Sequence, residues 1–193
     1  MGVVSRYMAN PGKKHYDALK HLLRYLKGIA NKCFCFGNSE ASIMGYTDVD
    51  YAGCLDTQKY TSRYVFLFAR EPVSWRSILE TCTSSSTTES KYVAVSSASK
   101  EAIWLAHLMG DLGIHEIPVL HYDSQRAITL AKNPVFHFKT KIIEVRYHVV
   151  QDILATKRIE LAKVHIDDNP ADALTKSLAS ERFTHCSNMM GIG

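Results

Sequence analysis

The chain has 193 residues, 46% hydrophobic and 22% charged, enough to bury one good core plus an appendage. Its net charge of +4 is compatible with a polyanionic partner without demanding one. The five cysteines, Cys33, Cys35, Cys54, Cys82 and Cys186, are odd in number and lack a CxxC pair, so they indicate neither a disulfide framework nor a zinc site and are expected as reduced thiols. No apolar run approaches the length of a membrane span, and "MGVVSRYMANPGKK" lacks the apolar stretch of a signal peptide. A soluble, intracellular chain, cytoplasmic and/or nuclear, with no membrane partner is expected.

In chain order, "NPGKKHYDALKHLLRYLKG" opens on Asn10-Pro11-Gly12 and spaces Leu19, Leu22, Leu23, Leu26 and Ile29 as one helical face. Its outer face carries Lys13, Lys14, Lys20, Arg24 and Lys27, a pattern either solvated or suited to phosphates. Three β-like runs follow, "IMGYTDVDYAG", "SRYVFLFA" and "PVSWRS", then a long helix from about Ser86 to Leu112. The remainder reads as strand "PVLHYD", helix "SQRAITLAKN", basic loop "NPVFHFKTK", helix "IIEVRYHVVQDILATK", strand "IELAKVHI" and helix "NPADALTKSL". A meander followed by α/β crossovers predicts a mixed sheet flanked by helices, an α/β fold.

Within the long helix, Lys91 heads a stripe of Ala94, Val95, Ala98, Ala102, Leu105, Met109 and Leu112, all apolar. A lysine there either snorkels from the first turn or meets an anion, because burying an unpaired ammonium is costly. Three aspartates fall in comparable places: Asp48 in the first strand, Asp123 at the end of the fourth, and Asp172 near the start of the last helix. Strand ends and helix starts converge on one edge of an α/β sheet, so these carboxylates can share a site. Clustered carboxylates repel unless divalent cations neutralise them, and two cations about 4 Å apart serve phosphodiester hydrolysis. The structural alternatives are a turn residue, a helix N-cap and a first-turn dipole partner, respectively.

The blocks "GYTDVDYAG", "TSRYVF", "VSW", "STTESKY", "KEAIWL", "YDSQRAI", "KNPVFH", "VRYH" and "NPADALTK" resemble, in order and spacing, the ribonuclease H domain of copia-type LTR-retrotransposon Pol polyproteins. "VSRYMANPGKKHYDALKHLLRYLKG" resembles the tail of the preceding reverse transcriptase. The resemblance implies a ribonuclease H-like fold, a five-stranded mixed sheet flanked by helices with an N-terminal helical extension. It implies residues 1–40 as the reverse transcriptase tail, 41–179 as the ribonuclease H-like domain and 180–193 as a helical C-terminal tail.

Members of the family cut the RNA strand of an RNA/DNA hybrid with two Mg2+ ions held by four acids. Asp48 matches the first acid, Asp123 the third and Asp172 the last; these are the implied catalytic and metal residues. The second, a glutamate in a pattern resembling "STTEAEY", is replaced by Lys91. Glu89, rotated by about 200° from position 91, cannot easily substitute. Replacing a carboxylate by an ammonium changes the quartet's charge by about two units, which weakens or abolishes Mg2+ binding. An ammonium there would stand in for one cation, holding Asp48 and Asp123.

Other departures point the same way. Arg63 replaces a glycine of "TSGYVF", Arg70-Glu71 stands where the hairpin carries glycines, Ile142 and Glu144 depart from "TKHIDVRYH", and Arg126 replaces a small residue. No polymerase signature is present; "HIDD" at 165–168 reads as a cap, with His165 structural or a proton shuttle. The basic loop supplies His137, Lys139, Lys141 and Arg146, with Phe136 and Phe138 interleaved, for nucleic-acid contacts. Three readings stand: a degenerate ribonuclease H-type nuclease, a non-catalytic nucleic-acid-binding module, or a functionless fragment. A reverse transcriptase acting in trans is the implied protein partner.

Overall fold

The computed structural model describes residues 2–34, 41–54, 59–80, 87–124, 129, 141–174 and 178–192. The chain divides into two compact units, residues 1–33 with Gly193, and residues 34–192. The first holds a short helix α1 (Gly2–Ser5) and the expected amphipathic helix α2 (Lys13–Gly28). Gly12 N–H donates to His15 Nδ1 at 2.9 Å, capping α2, and the Tyr7 ring stacks on His15. No residue of α2 is buried: Leu19, Leu23 and Leu26 are exposed.

The second unit is built on strands β1 (Ile43–Cys54), β2 (Lys59–Phe68), β3 (Glu71–Leu79), β4 (Val119–Tyr122) and β5 (Glu160–Lys163). They form one five-stranded sheet in the order β3-β2-β1-β4-β5. β1, β2 and β3 pair antiparallel as a meander, whereas β1–β4 and β4–β5 are parallel. The expected mixed sheet follows from local turns in the first half and helical crossovers in the second.

Helix α3 (Thr87–Asp111) packs against the sheet and against α4 (Lys141–Ala155). Their core joins Tyr64, Phe66, Leu120 and Tyr122 of the strands to Val95, Ala98, Ala102, Leu105, Val150 and Ile153 of the helices. Alternation along the strands sends Tyr46, Val65 and Leu67 to the opposite face, where Ala171 and Met190 cover them. This cover comes from the 3-10 turn Pro170–Leu174 and helix α5 (Ser180–Met189).

Three local expectations need correction. Leu112, the last member of the Lys91 stripe, lies beyond the end of α3 and is 68% exposed. Gly113, at φ +83°, stops the helix, and Ile114 N–H reaches back to Met109 O at 2.9 Å. In the segment expected as a helix over 169–178, the described part is a 3-10 turn over Pro170–Leu174, with Ala171 and Asp172 buried, and residues 175–177 lie outside the described residues. The positive-φ pair of the β2–β3 hairpin is Ala69-Arg70, and Glu71 already belongs to β3, its carboxylate buried under Gly191.

That hairpin gives the first prediction. Ala69 and Arg70 have φ of 52° and 70°, a left-handed pair that costs non-glycine residues roughly 1–2 kcal/mol each. Combining Ala69→Asn with Arg70→Gly should stabilise the domain by about 1–2 kcal/mol and raise Tm by about 2–6 °C. Thermal unfolding checks it; an unchanged or lower Tm means the turn is not strained.

Candidate functional site

Asp48 lies in the interior of β1, directly across the β1–β2 ladder from Arg63, so the two side chains share a face of the sheet. Strand alternation makes this the face of Tyr46 and Val65, which the Pro170–Leu174 turn covers. Asp48 is therefore not a turn residue. Its Oδ2 stands 2.9 Å from Arg63 Nη2, with the arginine side chain fully buried and the aspartate nearly so. Among the described residues, none of the three guanidinium nitrogens has an aligned hydrogen-bond acceptor. The contact is thus an ion pair rather than a two-pronged fork.

Asn169, also buried, fastens the covering turn next to Asp48. Its Nδ2 donates to Thr47 O at 3.1 Å, and its Oδ1 accepts from Ala171 N–H at 3.2 Å. Asp172 follows, 2% exposed, accepting from Arg182 Nη2 of α5 at 2.9 Å. Arg182 also reaches Ile166 O at 2.7 Å. Neither Asn169 nor Arg182 was singled out as a site residue from sequence. Asn169 carried a signal in the Asn-Pro turn start, whereas nothing local marks Arg182 as a partner of Asp172.

Asp123 follows β4 directly, and among the described residues its Oδ1 is buried without a hydrogen-bond partner. The neighbouring Tyr122 hydroxyl is buried and likewise unpartnered. Burial, then the nearby Asp123 and Asp48 carboxylates, push the Tyr122 pKa well above its ordinary value. Asp48 and Asp123 thus bear on one phenol. His121, on the other face of β4, stacks on Tyr46 at 4.8 Å, and burial lowers its pKa. His165 caps the 3-10 turn Ile166–Asp168, accepting from Asp167 N–H at 3.3 Å, and is largely exposed.

Position 91 lies where the stripe put it. Ala94, Val95, Ala98, Ala102, Leu105 and Met109 are all buried, and Lys91, half-buried, heads them. Val93 and Ala94 pack against Val49, the residue after Asp48. Among the described residues Lys91 makes no ion pair, and the cation against Asp48 is Arg63 instead. Glu89, Lys141 and Arg146 lie in helices with side chains outside the described residues; Arg126, His137 and Lys139 lie outside them entirely.

Among the described residues no three His, Cys, Asp or Glu side chains are grouped to hold a metal ion. The chemistry of the donor set also speaks against one at Asp48. A guanidinium stays protonated at any working pH. A divalent ion sharing this carboxylate would sit about 4 Å from it, where repulsion at an effective dielectric of ~20 is roughly 8 kcal/mol. The residues present do not fit a divalent cation there. Also among the described residues, no helix is long and apolar enough to cross a membrane.

No protein-family model matches the chain. The retrovirus-related Pol polyprotein from transposon TNT 1-94 of Nicotiana tabacum is 42% identical over 193 residues, 100% of this chain and 14% of that polyprotein. The corresponding polyprotein from transposon RE1 of Arabidopsis thaliana is 33% identical over 192 residues, 98% of this chain and 13% of its own length. The chain therefore spans about one seventh of these relatives. Among solved structures, a ribonuclease H1 isolated from compost superposes with a TM-score of 0.52 at 16% identity, covering 70% of this chain and 93% of that one. The N-terminal ribonuclease H domain of a Mycobacterium tuberculosis protein gives 0.50 at 13% identity, covering 77% and 98%. Such identities speak for the fold, and the polyproteins speak for descent. The chain belongs to the copia-type, retrovirus-related Pol polyproteins of transposons, and within it residues 34–192 form a ribonuclease H-like domain.

Proposed function

We propose that this domain is by descent a two-metal nuclease for the RNA strand of RNA/DNA hybrids, and that its Mg2+-dependent cutting is impaired or lost. The observation that supports the reading is the buried stripe of α3, headed by Lys91, the residue that in sequence matches the glutamate of the family pattern. In this reading Asp48, Asp123 and Asp172 descend from the other three acids. Binding of a hybrid or another nucleic acid survives through His137, Lys139, Lys141 and Arg146. Residues 1–40 are assigned to the reverse transcriptase tail, residues 41–179 to the nuclease-derived domain and 180–193 to its tail. A reverse transcriptase in trans is the protein partner, and the setting is intracellular, cytoplasmic or nuclear.

The experiment incubates the purified chain with an RNA/DNA hybrid in Mg2+ or Mn2+ and titrates binding against salt. Cleavage at background, with binding that weakens as salt rises, is the expected result. Strong metal-dependent cleavage that disappears in Asp123→Asn would overturn it. Absence of both cleavage and binding would instead favour a fragment without a function of its own.

A further inference from the structure

We infer that Arg63 is the resident cation of the degenerate site: its guanidinium takes the place of a divalent ion at Asp48 and holds the site together without metal. The inference rests on the descent and degeneracy proposed above, but concerns a residue that position 91 does not explain. Three observations converge on it. Arg63 faces Asp48 across the ladder, its side chain is fully buried, and its Nη2 lies 2.9 Å from Asp48 Oδ2. A buried guanidinium without aligned acceptors is tolerable only beside an anion, and among the described residues Asp48 is the carboxylate paired with it.

The consequence for restoring the ancestral chemistry is direct. Returning a carboxylate at position 91 leaves a permanent positive charge on the aspartate that a metal must share. Lys91→Glu alone should therefore fail to restore metal binding, whereas adding Arg63→Gly clears the aspartate. Asp172 carries its own guanidinium from Arg182, but that side chain is one-third exposed and can turn to water.

The test measures Tm of the purified chain with and without saturating Mn2+ for wild type, Lys91→Glu, and Lys91→Glu combined with Arg63→Gly. Wild type and the single variant should shift by less than about 1 °C, and the double variant by about 5 °C or more. A full shift in Lys91→Glu alone overturns the role of Arg63, as does a folded double variant that does not respond. Should the double variant require the ion in order to fold, that requirement is itself the expected metal dependence.

If it folds under neither condition, a second comparison decides. Asp48→Asn should lower the folding equilibrium constant by about two to four orders of magnitude in the wild-type background and less than about tenfold beside Arg63→Met. Equal losses in both backgrounds overturn the proposal. Hybrid cleavage by the wild type would overturn the underlying reading of degeneracy, while these stability measurements still decide for or against Arg63.

Discussion

Asp48→Asn should destabilise the domain by about 3–5 kcal/mol, because it removes the negative charge from a fully buried guanidinium. For a chain of this length that lowers Tm by roughly 10 °C. The sign is what makes the measurement informative. In a site where carboxylates crowd together awaiting metal, replacing one by an amide relieves repulsion, so stability holds or rises. Here the nearest charge to Asp48 is positive and permanent, so stability falls. Urea unfolding at neutral pH gives the answer, and a variant as stable as wild type would mean that the pair is solvated in solution.

The second large effect is expected at Gly45, three residues earlier on β1. A methyl group built there overlaps the edge of the Phe66 ring and comes within 2.9 Å of Leu120 Cδ1, both fully buried. Phe66 also packs edge-on against Tyr64 with ring centroids 5.5 Å apart, so it has little room to retreat. Gly45→Ala should cost about 1–3 kcal/mol through overpacking. Trimming the ring by Phe66→Leu is harmful alone but makes space for the methyl, so the double variant should be less destabilised than the two losses added, by at least about 1 kcal/mol. Strict additivity would show that the strand moves rather than the ring.

What was legible in the sequence followed how local its cause is. The apolar stripe after Lys91 repeats with the helical period, and its six members from Ala94 to Met109 are buried as that period requires. Its one failure, Leu112, came from carrying the stripe right up to Gly113, a stop signal present in the sequence that ends the helix at Asp111. The meander and the crossovers were readable from strand lengths and turns, so the mixed sheet followed.

The charge arrangement was not readable in this way. Arg63 stood out as a departure from glycine, yet where its guanidinium goes depends on the register of β2 against β1, a tertiary fact. Lys91 was recognised by its slot as a candidate cation for the site, and Arg63, which the fold pairs with Asp48, only as an irregularity. Arg182 was invisible for the same reason. Its link to Asp172 exists because α5 folds back over the Pro170–Leu174 turn. At the start of the helix expected over 169–178, Asn169 takes Thr47 of a distant strand as its partner and a 3-10 turn forms over Pro170–Leu174.

That last bond also bears on the order in which the domain assembles. The meander brings Asp48 and Arg63 together across a short stretch of chain, whereas Asn169 and Thr47 are 122 residues apart. Closing the longer loop costs about 2 kcal/mol more in chain entropy, and contacts at such separation form late. The lid over Asp48 thus arrives on a strand pair whose charges are already matched. Along such a route the buried arginine meets its counterion when β1 and β2 pair, before the covering turn closes over them.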